Sequence, residues 1–208
     1  VGIDMGLTAF VHTSGGDSFP AHKYLRRLEE KLQRLQRRLS NATRRTPQYR
    51  KFLRALRKCH HRIKCQRNDF LHKLANGLLP RYDLLFIEDL KVANMSRRPK
   101  PKQDEETGKY LPNNASAKAG LNKSILDAGW GRFFQILRYK AEALCKSVVA
   151  VSPRYTSQAC SACGQIVKKP LSTRTHRCSC GFVADRDFNA ALNISRLGLE
   201  SLFAGVAN

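Results

Sequence analysis

The chain has 208 residues, of which 42% are hydrophobic, so it is long and apolar enough for one packed domain with insertions. Its 38 Lys and Arg against 16 Asp and Glu give a formal net charge of +22, which indicates a polyanionic partner such as nucleic acid. No apolar run approaches the roughly 18 residues of a spanning helix, so no membrane partner is expected. The chain starts on strand-like residues without Met or a signal peptide, and we therefore expect an N-terminally truncated piece of a longer protein.

Residues 1–19 alternate and turn in a way that predicts three short antiparallel strands, with Gly15-Gly16 in the second turn. Asp4 lies among the apolar residues of the first strand, between Gly2 and Gly6. A carboxylate inside such a strand costs free energy unless a partner neutralises it. Asp4 is therefore either an acid at a turn or sheet edge or, as we favour, a metal ligand.

The next segment predicts a basic helical hairpin, an insertion over residues 23–79. Leucines spaced three and four residues apart predict one helix up to about Ser40, residues 41–47 predict a turn, and an apolar stripe predicts a second helix. Residues 23–67 hold 17 Lys and Arg and two Glu, a local net charge of +15. Charge runs are often only solvated helix faces, but a run with so few acids favours contact with phosphates. The predicted nucleic-acid-binding residues, including one outside the hairpin, are Arg34, Arg37, Arg38, Arg44, Arg45, Arg50, Lys51, Arg54, Arg57, Lys58 and Arg154.

The apolar run Leu84-Leu85-Phe86-Ile87 predicts a buried strand, which ends in Glu88 and Asp89. Adjacent strand residues face opposite sides of a sheet, so only one of these two acids can join Asp4 in a site. The spacing does not choose between them.

Residues 92–116 are polar and partly basic and predict a flexible loop, either a lid on the substrate side or a disordered insertion. Helical periodicity resumes over residues 117–146, with Trp130 predicted as a packing anchor. Residues 148–151 predict another short buried strand.

Four of the seven cysteines form two close pairs, Cys160-x-x-Cys163 and Cys178-x-Cys180, separated by 14 residues. Such pairs predict one structural Zn²⁺ in a reducing cytosol and not a secreted disulfide framework. The polar, basic segment between the pairs is typical of a loop held by metal, and His176 is an alternative ligand. The remaining cysteines, in helical patterns, are predicted to be small buried residues: Cys59, Cys65 and Cys145.

A helix is predicted to begin near Asp185 or Arg186, and Asp185 is well suited to cap it. Asp187 lies three, four and seven residues before apolar positions and therefore shares their sheet-facing side, with Ala190, Ala191 and Ile194. We expect its carboxylate to point towards Asp4 and the end of the 84–87 strand. Three acids there would repel one another unless divalent cations neutralised them, and two Mg²⁺ clamping a phosphodiester displacement would account for the arrangement.

Five motifs, in this order, resemble the RuvC nuclease part of the TnpB/OrfB family, transposon-associated RNA-guided DNA endonucleases similar to type V CRISPR effectors. They are Gly2-Ile3-Asp4-Met5-Gly6, Phe86-Ile87-Glu88-Asp89-Leu90, Asp127-Ala128-Gly129-Trp130, Arg154-Tyr155-Thr156-Ser157-Gln158-x-Cys160-Ser161-x-Cys163-Gly164 and Asp185-Arg186-Asp187-x-Asn189-Ala190-Ala191-x-Asn193-Ile194. The resemblance covers essentially the whole chain.

The resemblance implies an α/β, RNase H-like (RuvC) fold, a mixed sheet with flanking helices, built from residues 1–159 and 181–208 with a zinc finger over residues 160–180. It implies that Asp4, Glu88 and Asp187 are metal-binding catalytic acids, and it thereby selects Glu88 over Asp89. It also implies zinc on Cys160, Cys163, Cys178 and Cys180, a guide RNA and a DNA substrate paired to that guide. The expected location is the cytosol of a prokaryote, in association with the nucleoid.

Two features depart from the family pattern. The second cysteine pair has one intervening residue where the family usually has two. The N-terminal barrel and helical recognition region of the family would precede this chain, so we expect that guide positioning and reading of the flanking motif are missing and that the chain alone is inactive on guided targets. The alternative functions are a catalytically inactive nucleic-acid-binding relic and a zinc-containing DNA-joining transposase, which the order of the acids disfavours.

Overall fold

The structure, a computed structural model, describes residues 1–170 and 172–206. It is a mixed α/β fold in which helices cover both faces of a sheet. In chain order its elements are β1 (Gly2–Met5), β2 (Ala9–Thr13), β3 (Ser18–Pro20), α1 (Tyr24–Ser40), α2 (Pro47–Leu78), β4 (Leu84–Glu88), α3 (Val92–Met95), β5 (Lys102–Gln103), β6 (Tyr110–Leu111), α4 (Ala115–Ala128), α5 (Trp130–Ala143), β7 (Ser147–Val151), β8 (Thr175–Arg177), β9 (Val183–Asp185) and α6 (Arg186–Val206).

The main sheet has five strands in the order β3-β2-β1-β4-β7. Short turns join β1, β2 and β3, which pair antiparallel and confirm the prediction for residues 1–19. β1 is parallel to β4, and β4 is parallel to β7. Parallel neighbours need long crossovers, and helices supply them here: α1 and α2 precede β4, and α3, α4 and α5 precede β7.

The larger core lies on the face of the sheet covered by the end of α2 and by α4 and α5. Ile3 and Ile87 point into it from the two central strands, and neither is exposed to solvent. Trp130 packs into the same core and is 5% exposed, which confirms its prediction as a packing anchor. The α2 and α5 side chains that fill this core include Leu71, Leu74, Leu78, Phe133, Ile136 and Leu137.

The opposite face of the sheet is covered by α6. Phe86 and Ile194 form a second buried cluster there with Val151. Side chains alternate along a strand, so the residues two positions from Gly2 and Phe86, which are Asp4 and Glu88, lie on this same face.

Two glycines let α6 lie close to the sheet. A methyl group at Gly2 would lie 2.1 Å from the backbone oxygen of Ala191, and one at Gly198 would lie 2.0 Å from Cδ1 of Phe86. Both distances are far below van der Waals contact, so β1 and β4 approach the helix only because these positions have no side chain.

The predicted basic hairpin is present as α1 packed on α2, with Leu32, Cys59 and Ile63 buried between them. Thr46 caps α2, since its Oγ1 accepts the N–H of Tyr49 at 3.2 Å, and Pro47 takes the first helical position.

α1 has no side-chain cap within its own segment. The carboxylate of Asp127, on α4, accepts the Leu25 N–H at 3.0 and 3.1 Å instead. Arg67 of α2 pairs with the same carboxylate at 2.9 Å, so one buried acid ties together α1, α2 and α4.

The predicted helix over residues 117–146 is two helices. Gly129 separates α4 from α5 with φ 76°, a left-handed conformation that ends a helix and that glycine adopts readily.

α5 ends at Ala143, so Cys145 lies outside it, with φ 55°, and is exposed. Cys65 is exposed on the outer side of α2, and the prediction of burial is therefore wrong for both and correct for Cys59.

Residues 92–116 hold more structure than a loop, namely α3 and the β5–β6 pair. Asp104 accepts the N–H groups of Glu106 and Thr107 at 3.0 and 2.8 Å, which stabilises the turn between β5 and β6.

The strand expected at residues 148–151 is β7, which is only partly buried because it lies at the edge of the sheet. Within residues 1–170 and 172–206, no helix has the length and apolar character needed to cross a bilayer.

Candidate nuclease site

Asp4 and Glu88 come together because β1 and β4 are parallel neighbours. The register pairs Gly2 with Phe86 and Ile3 with Ile87, and the next pair along the two strands is Asp4 with Glu88. Both acids therefore lie at the carboxyl ends of their strands, where open α/β sheets bind ligands.

Glu88 and Asp89 have different environments. Glu88 is 8% exposed on the α6 side of the sheet. Asp89 lies beyond the end of β4, is exposed and pairs with Lys91 at 2.7 Å. Glu88 is thus the acid that faces the same space as Asp4.

Asp187 reaches the site from the first turn of α6. Asp185 caps this helix, as predicted, because its Oδ1 accepts the N–H groups of Asp187 and Phe188 at 2.8 and 3.2 Å. The predicted sheet-facing side is also correct: Ala190, Ala191 and Ile194 are each no more than 1% exposed. The side chain of Asp187 is 15% exposed at the open end of that buried side.

Basic groups from β2, from α6 and from the segment before β8 surround the carboxylate of Asp187. Oδ2 lies 3.9 Å from Nε2 of His12 and 3.5 Å from Nη1 of Arg174, and Oδ1 lies 3.3 Å from Nε of Arg186. Nη2 of Arg174 also donates to Oγ1 of Thr8 at 3.4 Å. Arg174 precedes β8, so the segment between the cysteine pairs reaches over the acid site.

The electrostatics of the site favour binding of a cation. Burial raises the pKa of Asp4 well above its usual range, and the negative charges of Glu88 and Asp187 raise it further. Burial also raises the pKa of Glu88, while the hydroxyl of Thr156, which donates to Oε1 at 2.6 Å, lowers it in part. A divalent cation would remove the mutual repulsion of the three carboxylates.

Hydrogen bonds connect the site to the segment that enters the first cysteine pair. Asn193 of α6 donates to the backbone oxygens of Thr156 and Ala159 at 2.8 and 2.7 Å. Asn189 donates to the Ala159 oxygen at 2.8 Å and accepts the N–H of Ser161 at 3.0 Å. Both asparagines are buried, so this segment is held firmly against the helix that carries Asp187.

The four predicted zinc ligands lie together. Sγ of Cys160 is 3.7 Å from Sγ of Cys180, and Sγ of Cys163 is 3.5 Å from Sγ of Cys178. Four thiolates around one tetrahedral zinc, each at about 2.3 Å, lie about 3.8 Å apart, so this donor set fits zinc even with a single residue inside the second pair. His176 is buried away from the cluster, where its Nδ1 contacts Nζ of Lys169 at 2.7 Å.

Hydrogen bonds around the cluster shift the pKa values of Cys163 and Cys178 in opposite directions. The backbone N–H of Cys180 donates to Cys178 and lowers the pKa of that thiol to about 7. The backbone of Gln165 lowers the pKa of Cys163, but hydrogen bonds among the four thiols outweigh it and raise this pKa to about 12. A metal ion would displace the remaining protons, since thiolates are the ligand form.

The predicted nucleic-acid-binding residues are all exposed. Ten of them lie on the α1–α2 hairpin and its turn, and the guanidinium of Arg38 lies 5.9 Å from the ring centre of Phe52. Arg154 lies apart from them, after β7, beside the ring of Tyr155.

Sequence reasoning missed three residues beside the acids: His12, Thr156 and Arg174. His12 could have been found by counting register across the β1–β2 turn, because it pairs with Asp4. Thr156 lies in the fourth family motif, but that motif alone does not indicate its contact with Glu88, 68 residues away, and no local pattern indicates that Arg174 contacts Asp187, 13 residues away.

Two family models match the chain. Residues 1–98 match OrfB_IS605, described as "Probable transposase", and residues 130–194 match the Cas12f1-like TNB domain. "Putative RNA-guided DNA endonuclease InsQ" of Escherichia coli (strain K12) is 37% identical over 207 residues, 99% of this chain and 50% of that protein. A Streptomyces pristinaespiralis protein named "Putative RNA-guided DNA endonuclease" is 33% identical over 207 residues, 99% of this chain and 46% of its own length.

Among solved structures, a chain from the cryo-EM structure of the Cas12f1-sgRNA-target DNA complex has a similar fold. The TM-score is 0.58 at 16% identity, over 93% of this chain and 48% of that chain. This chain thus spans about half the length of the curated relatives that it matches. From these matches, the chain belongs to the TnpB family and is related to Cas12f.

Proposed function

We propose that the chain is the nuclease part of a TnpB-type RNA-guided DNA endonuclease with a RuvC-like, RNase H-like fold. The observation that carries the proposal is the convergence of Asp4, Glu88 and Asp187, from the start, middle and end of the chain, at the carboxyl ends of β1 and β4. The strand order, with three antiparallel strands followed by two parallel ones, supports the RNase H-like assignment.

In this proposal Asp4, Glu88 and Asp187 hold Mg²⁺, as two ions, because carboxylate oxygens are the ligands that Mg²⁺ prefers. Ions held by these three acids would supply activation of water and stabilisation of charge on the attacking and leaving oxygens of a phosphodiester. The residues of the chain orient these acids: Thr156 holds Glu88, and the cap at Asp185 fixes the first turn of α6. The four cysteines hold one Zn²⁺ that braces the segment carrying Arg174 but takes no part in the chemistry.

The partners we propose are a guide RNA and target DNA, which interact through their phosphates with the basic hairpin and Arg154. Support comes from the hairpin's local charge of +15 and from the structural relative, whose complex contains sgRNA and target DNA. Sequence recognition would then come mainly from base pairing, since phosphate contacts carry no sequence information.

The test is cleavage by the complete gene product that contains this chain, purified with its co-expressed RNA, on a plasmid carrying the target. We expect Mg²⁺-dependent cutting that Glu88→Gln and Asp187→Asn each reduce at least about a hundredfold, with target binding retained. Asp89→Asn is the matched control for Glu88→Gln, because it removes the neighbouring acid, which is exposed and paired with Lys91.

Undiminished cutting by Asp187→Asn would reject the site. Guide-dependent binding without cutting by the unaltered protein, at any Mg²⁺ concentration, would favour the alternative of an inactive nucleic-acid-binding relic.

A further inference from the structure

His12 lies beside the three acids, and the proposed chemistry gives it no role. It lies directly opposite Asp4 in the β1–β2 register, so the two side chains project from the same face of the sheet. Its imidazole is 20% exposed, with Nε2 3.9 Å from Oδ2 of Asp187. His12, Asp185 and Asp187 line a surface cavity of about 420 Å³ together with Arg174.

The three side chains have the spacing of a metal site. One possible ligand atom from each of His12, Asp185 and Asp187 lies within 4.8 Å of the other two. Two ligand atoms each about 2.1 Å from one ion are at most about 4.2 Å apart. The 3.9 Å between Nε2 of His12 and Oδ2 of Asp187 already fits this limit, and a small side-chain rotation would bring the oxygen of Asp185 within it.

The carboxylates of Asp185 and Asp187 can bind a cation without losing strong hydrogen bonds. Both cap hydrogen bonds of Asp185 go to Oδ1, so the cap leaves its second oxygen unused. The contacts of Asp187 to Arg174 and Arg186, at 3.5 and 3.3 Å, are longer than the roughly 2.7–2.9 Å of a strong charge-assisted hydrogen bond. The side chain of Arg174 is also 55% exposed, so an ion can replace it there at little cost.

We propose that His12, Asp185 and Asp187 bind a divalent transition-metal ion. The site shares Asp187 with the three-acid site and rests on the proposed function only through that residue. An imidazole nitrogen binds divalent transition-metal ions, with an affinity that rises from Mn²⁺ through Fe²⁺ to Co²⁺, whereas Mg²⁺ takes oxygen ligands. His12 therefore makes this end of the site select Mn²⁺ over Mg²⁺.

Pulsed electron paramagnetic resonance of Mn²⁺ bound to the full chain, with zinc in the cysteine cluster, tests this directly. An imidazole ligand couples its ¹⁴N nucleus to the Mn²⁺ electron spin. We expect this coupling in the unaltered chain and its loss in His12→Gln. The same substitution should raise the Kd for Mn²⁺ about tenfold or more while changing the Kd for Mg²⁺ less than about twofold.

His61→Gln is the matched control, since it removes another imidazole, one that is exposed and lies 3.3 Å from a possible ligand, Sγ of Cys65. The ¹⁴N coupling of the His61→Gln variant should equal that of the unaltered chain. Bound Mn²⁺ without ¹⁴N coupling, coupling that persists in His12→Gln, or Mn²⁺ binding that Asp187→Asn leaves unchanged would each overturn the proposal. Mg²⁺-dependent cleavage without ¹⁴N coupling rejects this site alone, whereas coupling in a protein that never cleaves rejects the nuclease function and leaves the site.

Discussion

Asp4 bears the largest electrostatic cost of the acid site. Its pKa is raised, first by burial and then by Glu88 and Asp187. Between the usual pKa of an aspartate and this raised pKa, the folded chain binds more protons than the unfolded chain. The stability of the Mg²⁺-free protein therefore falls as pH rises through that window.

Asp4→Asn should consequently stabilise the Mg²⁺-free protein at pH 7, by about 1 kcal/mol or more, because the amide has no charge to bury. The variant should also show a weaker fall in Tm as pH rises above the usual pKa of an aspartate, measured by scanning calorimetry of zinc-loaded protein. Asp69→Asn is the control: this acid is exposed and pairs only with Lys73 among the described residues, so its loss should change Tm little. A lower Tm for Asp4→Asn would contradict the argument.

Thr156 lowers the pKa of Glu88, the neighbouring acid of the site. Because its hydroxyl donates to Oε1 at 2.6 Å and lowers the Glu88 pKa, Thr156→Val should raise that pKa. We expect the Mg²⁺ concentration for half-maximal cleavage to rise several-fold, and more at pH 6 than at pH 8, because protons then compete with the metal. Thr156→Ser keeps the hydroxyl and should behave like the unaltered protein; an equal effect of both substitutions would indicate a packing role instead.

At the scale of elements, the close packing of α6 on the sheet decides where Asp187 lies. Gly198→Ala would put a methyl group 2.0 Å from the Phe86 ring and should destabilise the protein by about 1–3 kcal/mol in urea unfolding. Gly120→Ala is the control, since the space around Gly120 in α4 is open and alanine favours a helix by roughly 1 kcal/mol. Phe86→Leu should recover part of the stability that Gly198→Ala removes; additive destabilisation by the two substitutions would reject the contact as the cause.

The cysteine cluster also acts at the scale of elements, because it joins two separate segments of the chain. Elemental analysis should find about one zinc per chain, absent from Cys163→Ser, with a lower Tm because the segment around the cluster has little core of its own. Cys65→Ser, at an exposed cysteine on α2, should keep both the zinc and the Tm. A folded, metal-free protein with unchanged Tm would show that the cluster needs no ion.

At the scale of the whole molecule, charge is distributed unevenly, with most of the excess on one hairpin. Neutralising Arg50, Arg54 and Arg57 to Gln, three exposed residues on one side of α2, should weaken RNA and DNA binding regardless of sequence. The slope of log K against log salt should fall by about 1 for each phosphate that the variant no longer neutralises. Arg196→Gln, on α6 and paired with Glu200, should leave the slope unchanged; equal slopes in all variants would exclude the hairpin as the interface.

The sequence by itself determined those features that depend on neighbouring residues. Strand alternation, helical periodicity, the Asp185 cap and the phase of Asp187 follow from spacings of two to seven residues. The two cysteine pairs and the charge of the hairpin are equally local. The sequence did not determine where α4 ends, because the apolar periodicity of α4 continues into α5 across Gly129.

Only the tertiary structure decided how distant elements meet. The parallel register of β1 and β4 brings Glu88, and not Asp89, level with Asp4, and the antiparallel register of β1 and β2 brings His12 beside them. The reach of Arg174 to Asp187 and the capping of α1 by Asp127 also join separate elements. Such contacts depend on strand register and on how closely helices pack, and these depend on side-chain volumes across the whole core, which no short spacing records.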